Sequence, residues 1–397
     1  MTGQLEAYRL EVRAWLTASL ERRDPGEPGL RPDEEYTEPF IGQQRQLQRR
    51  LFDGGNAGIG WPREYGGQGL TADHETVFAE EGRHFRLPDF GKSAMTTFGV
   101  CGPTLIVAAS EGFKQRHIPR ILRGEELWAQ FFSEPGAGSD LAAISTAAVR
   151  DGADWVLNGA KTWSSFAHRC DFGLCLARTD PSLPKHQGLT WFAVPTDAPG
   201  LTMRQFRQID GTDAFCEEFL DEVRIPDSER VGEVNAGWSI ARQMLLFERD
   251  SDGRKRTTSL APGELAPDLV AVARARGLLD DPVIRQLIAT AHVNSYVVDQ
   301  LYVRIEDCLG PKLAQDGMGV AAYGKLARGT FDPIRAGLGL QIAGDGAAWW
   351  QPGETGAGTA DAFLNGRIYS IAGGTNEMQR NAIAERIYRL PREGAGS

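Results

Sequence analysis

The spacing of apolar residues changes twice along this chain, and the changes divide it into three parts. In the first part the period is helical. Over Ala7–Leu16, Tyr8, Val12, Trp15 and Leu16 fall on one helical face. Helical patterns resume over Thr71–Arg83, Thr104–Ala109 and Glu111–Leu122, the last containing Pro119. Gly54–Gly69, rich in glycine and aromatic residues, reads as a loop between them. The apolar runs then become short and strand-like. Asp154–Gly159 looks like a strand running into a turn; Phe172–Arg178 and Leu189–Val194 are ended by Pro181 and Pro195, and Cys216–Pro226 continues the pattern. Helices return at Gly237–Phe247, in a long segment opened by Asp281-Pro282 that runs towards Leu309, and at Gln379–Tyr388. The pattern predicts a mostly α chain: a helical domain over 1–125, a small β domain over 126–232 and a second helical domain over 233–397. Residues 251–267 read as an exposed loop, and the tail after Pro391 as mobile.

Composition narrows the function. A chain of 397 residues suits two or three domains, and 41% apolar residues suffice for a large core. A formal net charge of -10 argues against nucleic acid as a partner. No apolar run approaches the roughly 20 residues of a spanning helix. The polar, acidic start at Met1–Glu6 argues against a secretory signal, so a cytoplasmic location is expected. Five cysteines, Cys101, Cys170, Cys175, Cys216 and Cys308, without C-x-x-C spacing predict neither a disulfide framework nor a zinc site. His74, His84, His117, His168, His186 and His292 show no metal spacing, and Asp33-Glu34-Glu35 reads as a solvated run.

Three segments carry candidate chemistry. Gln130–Leu141 contains S-E-P-G-A-G-S-D, whose glycines and serines allow close backbone approach and offer N–H and hydroxyl donors to a diphosphate or the edge of a flavin ring. It matches neither the P-loop nor the Rossmann fingerprint, and an ordinary Gly/Ser turn is the alternative. Asn158–Ser165 follows a strand and offers the Trp163 indole as a cover for a planar ligand, with the Ser164 and Ser165 hydroxyls beside it; a core tryptophan is the alternative. Gly373–Arg380 leads into a helix, where glycines followed by polar residues can bind a ligand through free N–H groups; a helix N-terminus capped by Thr375 or Asn376 is the alternative.

The order of these segments, from the helical part through S-E-P-G-A-G-S-D and N-G-x-K-x-W to G-G-T-N-E-M-Q-R-N, resembles the acyl-CoA dehydrogenases over the whole chain. Gly60–Gly69, Gly102–Glu125, Val231–Trp238 and Ala384-Glu385-Arg386 also look like that family. The resemblance implies FAD, an acyl-CoA substrate, an electron-transferring flavoprotein as acceptor, a role in lipid metabolism, and a dimer or tetramer. It implies that Phe131, Phe132, Ser133, Gly138 and Ser139 line the flavin and substrate side. Trp163, Ser164 and Ser165 would meet the isoalloxazine, with serine at 165 where the family usually has threonine. Thr375, Asn376 and Glu377 would also contact FAD, with Gly374 beside the thioester.

Removing a proton α to a thioester requires a carboxylate base, and a desolvated glutamate is suited to it. Many members of the family carry that glutamate just before the glycine of the G-T motif; here Gly373 stands there. Other members place it on a C-terminal-domain helix, in an apolar run ending E-R. Met244–Arg249 matches that pattern and nominates Glu248 as base, with Arg249 as a supporting substrate-side residue; a surface glutamate paired with Arg249 or Arg242 is the alternative. Two departures stand out. The segment Gly277–Arg285 lacks the arginine that contacts FAD from a neighbouring subunit, and Leu340–Gly346 is a degraded form of Q-x-x-G-G-x-G. A heteromer in which two chains share one FAD site would account for both. The competing expectations are a partner subunit with an incomplete site, and a flavin monooxygenase or oxidase on the same fold.

Overall fold

The structure is a computed structural model that describes residues 2–23, 37–254, 266–305, 318–349 and 355–391. The chain divides into two compact units, Met1–Met244 and Leu245–Ser397. The expected loop over 251–267 lies mostly outside the described residues, as do the tail after Pro391, Asp33-Glu34-Glu35, Cys308 and the end of the long helix after residue 305.

The first unit opens with helices α1 (Thr2–Ser19), α2 (Glu38–Asp53), α3 (Ala72–Gly82), α4 (Gly102–Ala108) and α5 (Glu111–Leu122). The apolar spacing does not reveal α2, because its inward stripe is Ile41, Gln44, Gln48 and Leu51, half of it polar. Gln48 belongs inside because its amide donates to Leu122 O at 2.8 Å. α5 continues through Pro119. Its start is capped by Ser110, which accepts from Phe113 N.

Strands β1 (Trp128–Phe131), β2 (Ala147–Asp151), β3 (Asp154–Ser165), β4 (Phe172–Arg178), β5 (Leu189–Pro195), β6 (Leu201–Phe206), β7 (Phe215–Pro226) and β8 (Arg230–Val231) form a mixed sheet in the order β6-β7-β3-β2-β4-β5-β8. β1 joins it by pairing parallel with β4. β4 is continuously apolar because both its faces are buried. Leu174 and Leu176 pack with Trp128 and Trp191, while Cys175 and Ala177 pack with Phe131 and Phe192. The four described cysteines are buried and form no disulfide with one another.

β3 is longer than the pattern suggests. It runs through Asn158-Gly159 instead of turning there, with register shifts against β7 at Leu157/Gly159 and at Thr162/Ser164. These irregularities are β-bulges, which bend a strand without ending it.

The second unit begins within helix α6 (Gly237–Arg254), whose backbone continues through residues 251–254 instead of giving way to a loop. α7 (Pro267–Ala275), α8 (Pro282–Arg304), α9 (Met318–Ala343), α10 (Thr355–Gly366) and α11 (Asn376–Ala382) follow. Asp281 caps α8 by accepting from Val283 N at 2.8 Å and Ile284 N at 3.1 Å, with Pro282 in the first turn. Leu269, Val272, Ile284, Ile288 and Ile342 form the core of this unit. No helix among the described residues is long and apolar enough to cross a membrane.

Gly159 adopts φ +154° beside the first register shift, where the extra residue belongs to β7, and a Cβ there would lie 2.5 Å from Thr146 Oγ1. Gly159→Ala is therefore expected to destabilise the first unit by about 1–3 kcal/mol. Denaturant unfolding checks this; a midpoint unchanged from wild type would show that the strand absorbs the methyl group.

Candidate active site

In the first unit the two glycine- and serine-bearing motifs lie side by side. Thr162 N donates to Ser133 O at 3.0 Å. Lys161 Nζ donates to Phe132 O at 3.2 Å and to Glu134 Oε1 at 2.9 Å. Ser164 Oγ lies 2.8 Å from Gln130 O. Lys161 and Glu134 are both buried, so their charges are held in low dielectric. Such a pair is tolerated only when the remaining lone pairs are satisfied. Glu134 meets that condition by accepting from Ser145 N at 2.7 Å, Ser145 Oγ at 2.8 Å and Thr146 N at 2.9 Å. Burial works against its charge, but the Lys161 ammonium and these donors outweigh burial and hold the carboxyl at about 2.

The second bulge of β3 decides which side chains face outward. Thr162 pairs with Glu217 and Ser164 with Cys216, so Trp163 is the extra residue. It adopts φ +67°, unusual for a bulky residue, and is 60% exposed. Phe206 and Phe215 support its indole edge-on, with ring centroids 5.1 and 5.7 Å away. The exposed ring is thus a braced platform.

The bulge also brings Lys161 and Ser164 to the same inner side, although strict alternation would separate them. The Ser164 hydroxyl is buried against Gln130 O and Glu218 Oε2, 2.9 Å away, and is not offered outward. That corrects the expectation of a Ser164 hydroxyl at a ligand edge. Phe131 is corrected likewise. Its side chain is fully buried in the sheet core beside Gly173 and lines no open surface. Phe132 and Ser133 are half-buried, Gly138 and Ser139 are exposed, and Ser165 is half-buried. A Cβ on Gly136 or Gly138 would meet nothing within 4 Å, so the backbone there is open to approach.

Sequence reasoning missed Glu218. It is buried opposite Lys161 in the β3–β7 register, and its Oε1 lacks a hydrogen-bond partner. A single Ser164 proton cannot serve both Gln130 O and Glu218. If Ser164 donates to Gln130 O, a protonated Glu218 donates to Ser164 Oγ. Burial, acting against the bond to Ser164 and the Lys161 charge, pushes this carboxyl up to about 8, which agrees with a neutral acid. His168 approaches Cys216 Sγ at 3.3 Å; burial, then the Arg169 charge, holds its imidazole down to about 4. Among the described residues no group of His, Cys, Asp and Glu is arranged to hold a metal.

The second unit carries the other candidate residues. Gly373 and Gly374 adopt φ +66° and +93°, and Thr375 caps α11 by accepting from Met378 N at 3.2 Å. Asn376 Nδ2 donates to Gly329 O at 3.1 Å, and its Oδ1 is buried without a hydrogen-bond partner. Glu377 is exposed and pairs with Arg380 at 3.2 Å. The decisive geometry is at Gly373. A Cβ on that residue would lie 3.4 Å from Glu248 Oε1 and 3.4 Å from Lys325 Cε. The Glu248 carboxylate therefore reaches the space in which a side chain at position 373 would begin. The side chain of Arg249 lies outside the described residues.

The chain is similar to known proteins over nearly its whole length. The model of the acyl-CoA dehydrogenase N-terminal domain matches residues 6–125, and that of the middle domain matches residues 129–223. Acyl-CoA dehydrogenase IpdE1 of Mycobacterium tuberculosis is 35% identical over 396 residues, covering 99% of this chain and 99% of that protein. A solved structure titled Tcur3481-Tcur3483 steroid ACAD superimposes with a TM-score of 0.76 at 29% identity, covering 98% of each chain. The ChsE4-ChsE5 complex from Mycobacterium tuberculosis gives 0.74 at 27% identity, covering 99% of each chain. The chain belongs to the acyl-CoA dehydrogenase family and has its fold. It is an oxidoreductase.

The neutral Glu218 has a measurable consequence. Its folded-state value, about 8, lies above its ordinary 4.5, so the folded protein holds this proton more tightly than the unfolded chain does. The resulting stability is fully present below the ordinary value and is lost as pH rises through the folded one. Glu218→Gln removes that dependence. The melting temperature of the variant relative to wild type should rise steadily between pH 4.5 and about 8. A constant difference across that window would mean that Glu218 is ionised in the fold.

Proposed function

We propose that this chain is an FAD-dependent acyl-CoA dehydrogenase in which Glu248 removes the proton α to the thioester carbonyl. The observation that carries the proposal is the approach of Glu248 Oε1 to the Cβ position of Gly373, where many members of the family have their base. The residues of the first unit suit a flavin. Ser133, Ser139 and Ser165 are hydroxyl donors, Gly136 and Gly138 leave the backbone unobstructed, and the exposed Trp163 indole matches a planar ring. When bound, FAD would accept the hydride from the β carbon.

The chain's own tasks follow from the weakness of the carbon acid. Glu248 must be ionised before it can take the proton, and it must be partly withdrawn from water to be basic enough. The Glu248 side chain is half-buried, which suits partial withdrawal from water. Polarisation of the thioester oxygen falls to the turn at Gly374, whose missing side chain permits close approach. Thr375, Asn376 and Glu377 are proposed as further FAD contacts, and Arg249 as a support on the substrate side. An electron-transferring flavoprotein is the proposed acceptor, on family membership. Glu248→Gln should lower turnover by roughly 10²–10⁴-fold while retaining bound flavin. Anaerobic bleaching of the flavin by straight-chain and steroid acyl-CoAs measures this. Normal bleaching by the variant would remove Glu248 from the mechanism.

A second reading concerns the number of chains in a site. Both solved relatives described above are titled as pairs of proteins. In this chain, the segment Gly277–Arg285 holds no arginine before Arg285. We propose that a different subunit completes the FAD site. Protein purified alone should then be nearly colourless and gain an oxidised flavin band only when a partner is co-expressed. A stoichiometric flavin complement in the homo-oligomer would overturn this reading.

A further inference from the structure

We infer that Lys325 is a positioning residue for the Glu248 carboxylate. The inference rests on Glu248 as the base but is tested separately from it. Lys325 lies on α9 and is 8% exposed, a degree of burial rare for lysine. Its ammonium donates to Tyr369 O, and its Cε lies as close to the Cβ position of Gly373 as Glu248 Oε1 does, 3.4 Å in each case. A cation-bearing side chain and a carboxylate thus approach one point, the outer side of a glycine in a left-handed turn.

The surroundings make this more than a chance approach. α9 grips the chain on both sides of the turn at three further places. Ser370 Oγ donates to Gly329 O at 2.7 Å, Asn376 Nδ2 donates to the same carbonyl at 3.1 Å, and the Arg328 guanidinium lies 4.0 Å from the centroid of the Tyr369 ring. Gln379 Nε2 closes the turn by donating to Gly374 O at 3.0 Å. Segment 369–376 is therefore held rigidly, and Lys325 is the member of this grip that reaches Gly373.

On α9 Arg328 pairs with Asp332 at 3.0 Å and Arg335 with Asp268 of α7 at 2.7 Å, and on α11 Glu377 pairs with Arg380 at 3.2 Å. The Lys325 side chain brings its cation to the turn, with Cε 3.4 Å from the Cβ position of Gly373. It performs two tasks at once: it fixes the Tyr369 carbonyl, and with it the turn, and its positive charge keeps Glu248 ionised in a partly desolvated place. The absence of a side chain at Gly373 is what lets both groups approach.

A thermal double-mutant cycle of Glu248→Gln and Lys325→Met tests the inference without flavin turnover. The melting-temperature loss from Lys325→Met should shrink by at least half when residue 248 is already glutamine. Additive losses would overturn the inference, since a lysine serving only Tyr369 O would cost the same in both backgrounds. If Lys325→Met does not fold, Lys325→Gln replaces it in the cycle, and Lys325→Arg is read by its pH profile. With the charge retained, the acid limb of turnover should stay within about half a pH unit of wild type, whereas Lys325→Gln should raise it by about one unit. An unshifted limb in Lys325→Gln would also overturn the inference. Full turnover by Glu248→Gln would sink the base assignment alone and leave the coupling measurement standing.

Discussion

The placement of the two motifs in the first unit depends on a buried ion pair. Taking Lys161 and Glu134 out of water costs several kcal/mol per ion, and their attraction repays this only with close geometry and full hydrogen bonding. Those conditions are met by drawing three segments to one carboxylate: Phe132–Glu134, Ser145-Thr146 and Lys161. The lysine is fixed on β3, so the Gly/Ser segment is fixed to β3 as well. The bulge two residues beyond the lysine then turns Trp163 out of the sheet. A buried charge, a tethered loop and an outward indole are one construction, and removing the first would free the other two.

The second unit shows a different constraint. A base must put a carboxylate at a point in space, and more than one residue can bring it there. In this chain Gly373 provides no side chain, and the carboxylate of Glu248 on α6 approaches the vacated volume. The positive φ of Gly373 is compatible with this exchange, because glycine adopts it freely while glutamate would be strained there.

Much of this was legible in the sequence, for identifiable reasons. Continuous apolar runs revealed β4 and β5, since a strand buried on both faces needs no alternation. Asp281-Pro282 marked the start of α8 through capping chemistry that is local in sequence. Helix α2 was not legible because Gln44 and Gln48 occupy its inner stripe, and only their partners, Asp89 N and Leu122 O, explain why they are inside. The sequence places the two motifs near one another but does not show which way their side chains point. Period two assigns Ser164 and Lys161 to opposite faces, and no local signal announces the bulge at Trp163 that reunites them. Phe131 was misjudged for a related reason: adjacency to a motif does not reveal which face of β1 a ring occupies. Lys325 and Glu218 carried no motif at all, and their significance emerges only from what they approach.

Lys161 also explains why two nearby carboxyls differ in protonation. Glu134 receives its ammonium directly, together with three further donors, and remains charged. Glu218 lies across the strand from the same lysine without that contact, and one of its oxygens lacks any hydrogen-bond partner. One cation cannot stabilise two buried anions equally, so the carboxyl with fewer donors keeps its proton. The outcome is a balance of one positive and one negative charge between Lys161 and Glu134 in the interior of the first unit. Within the second unit, a carboxylate and a lysine side chain, those of Glu248 and Lys325, approach the turn at Gly373.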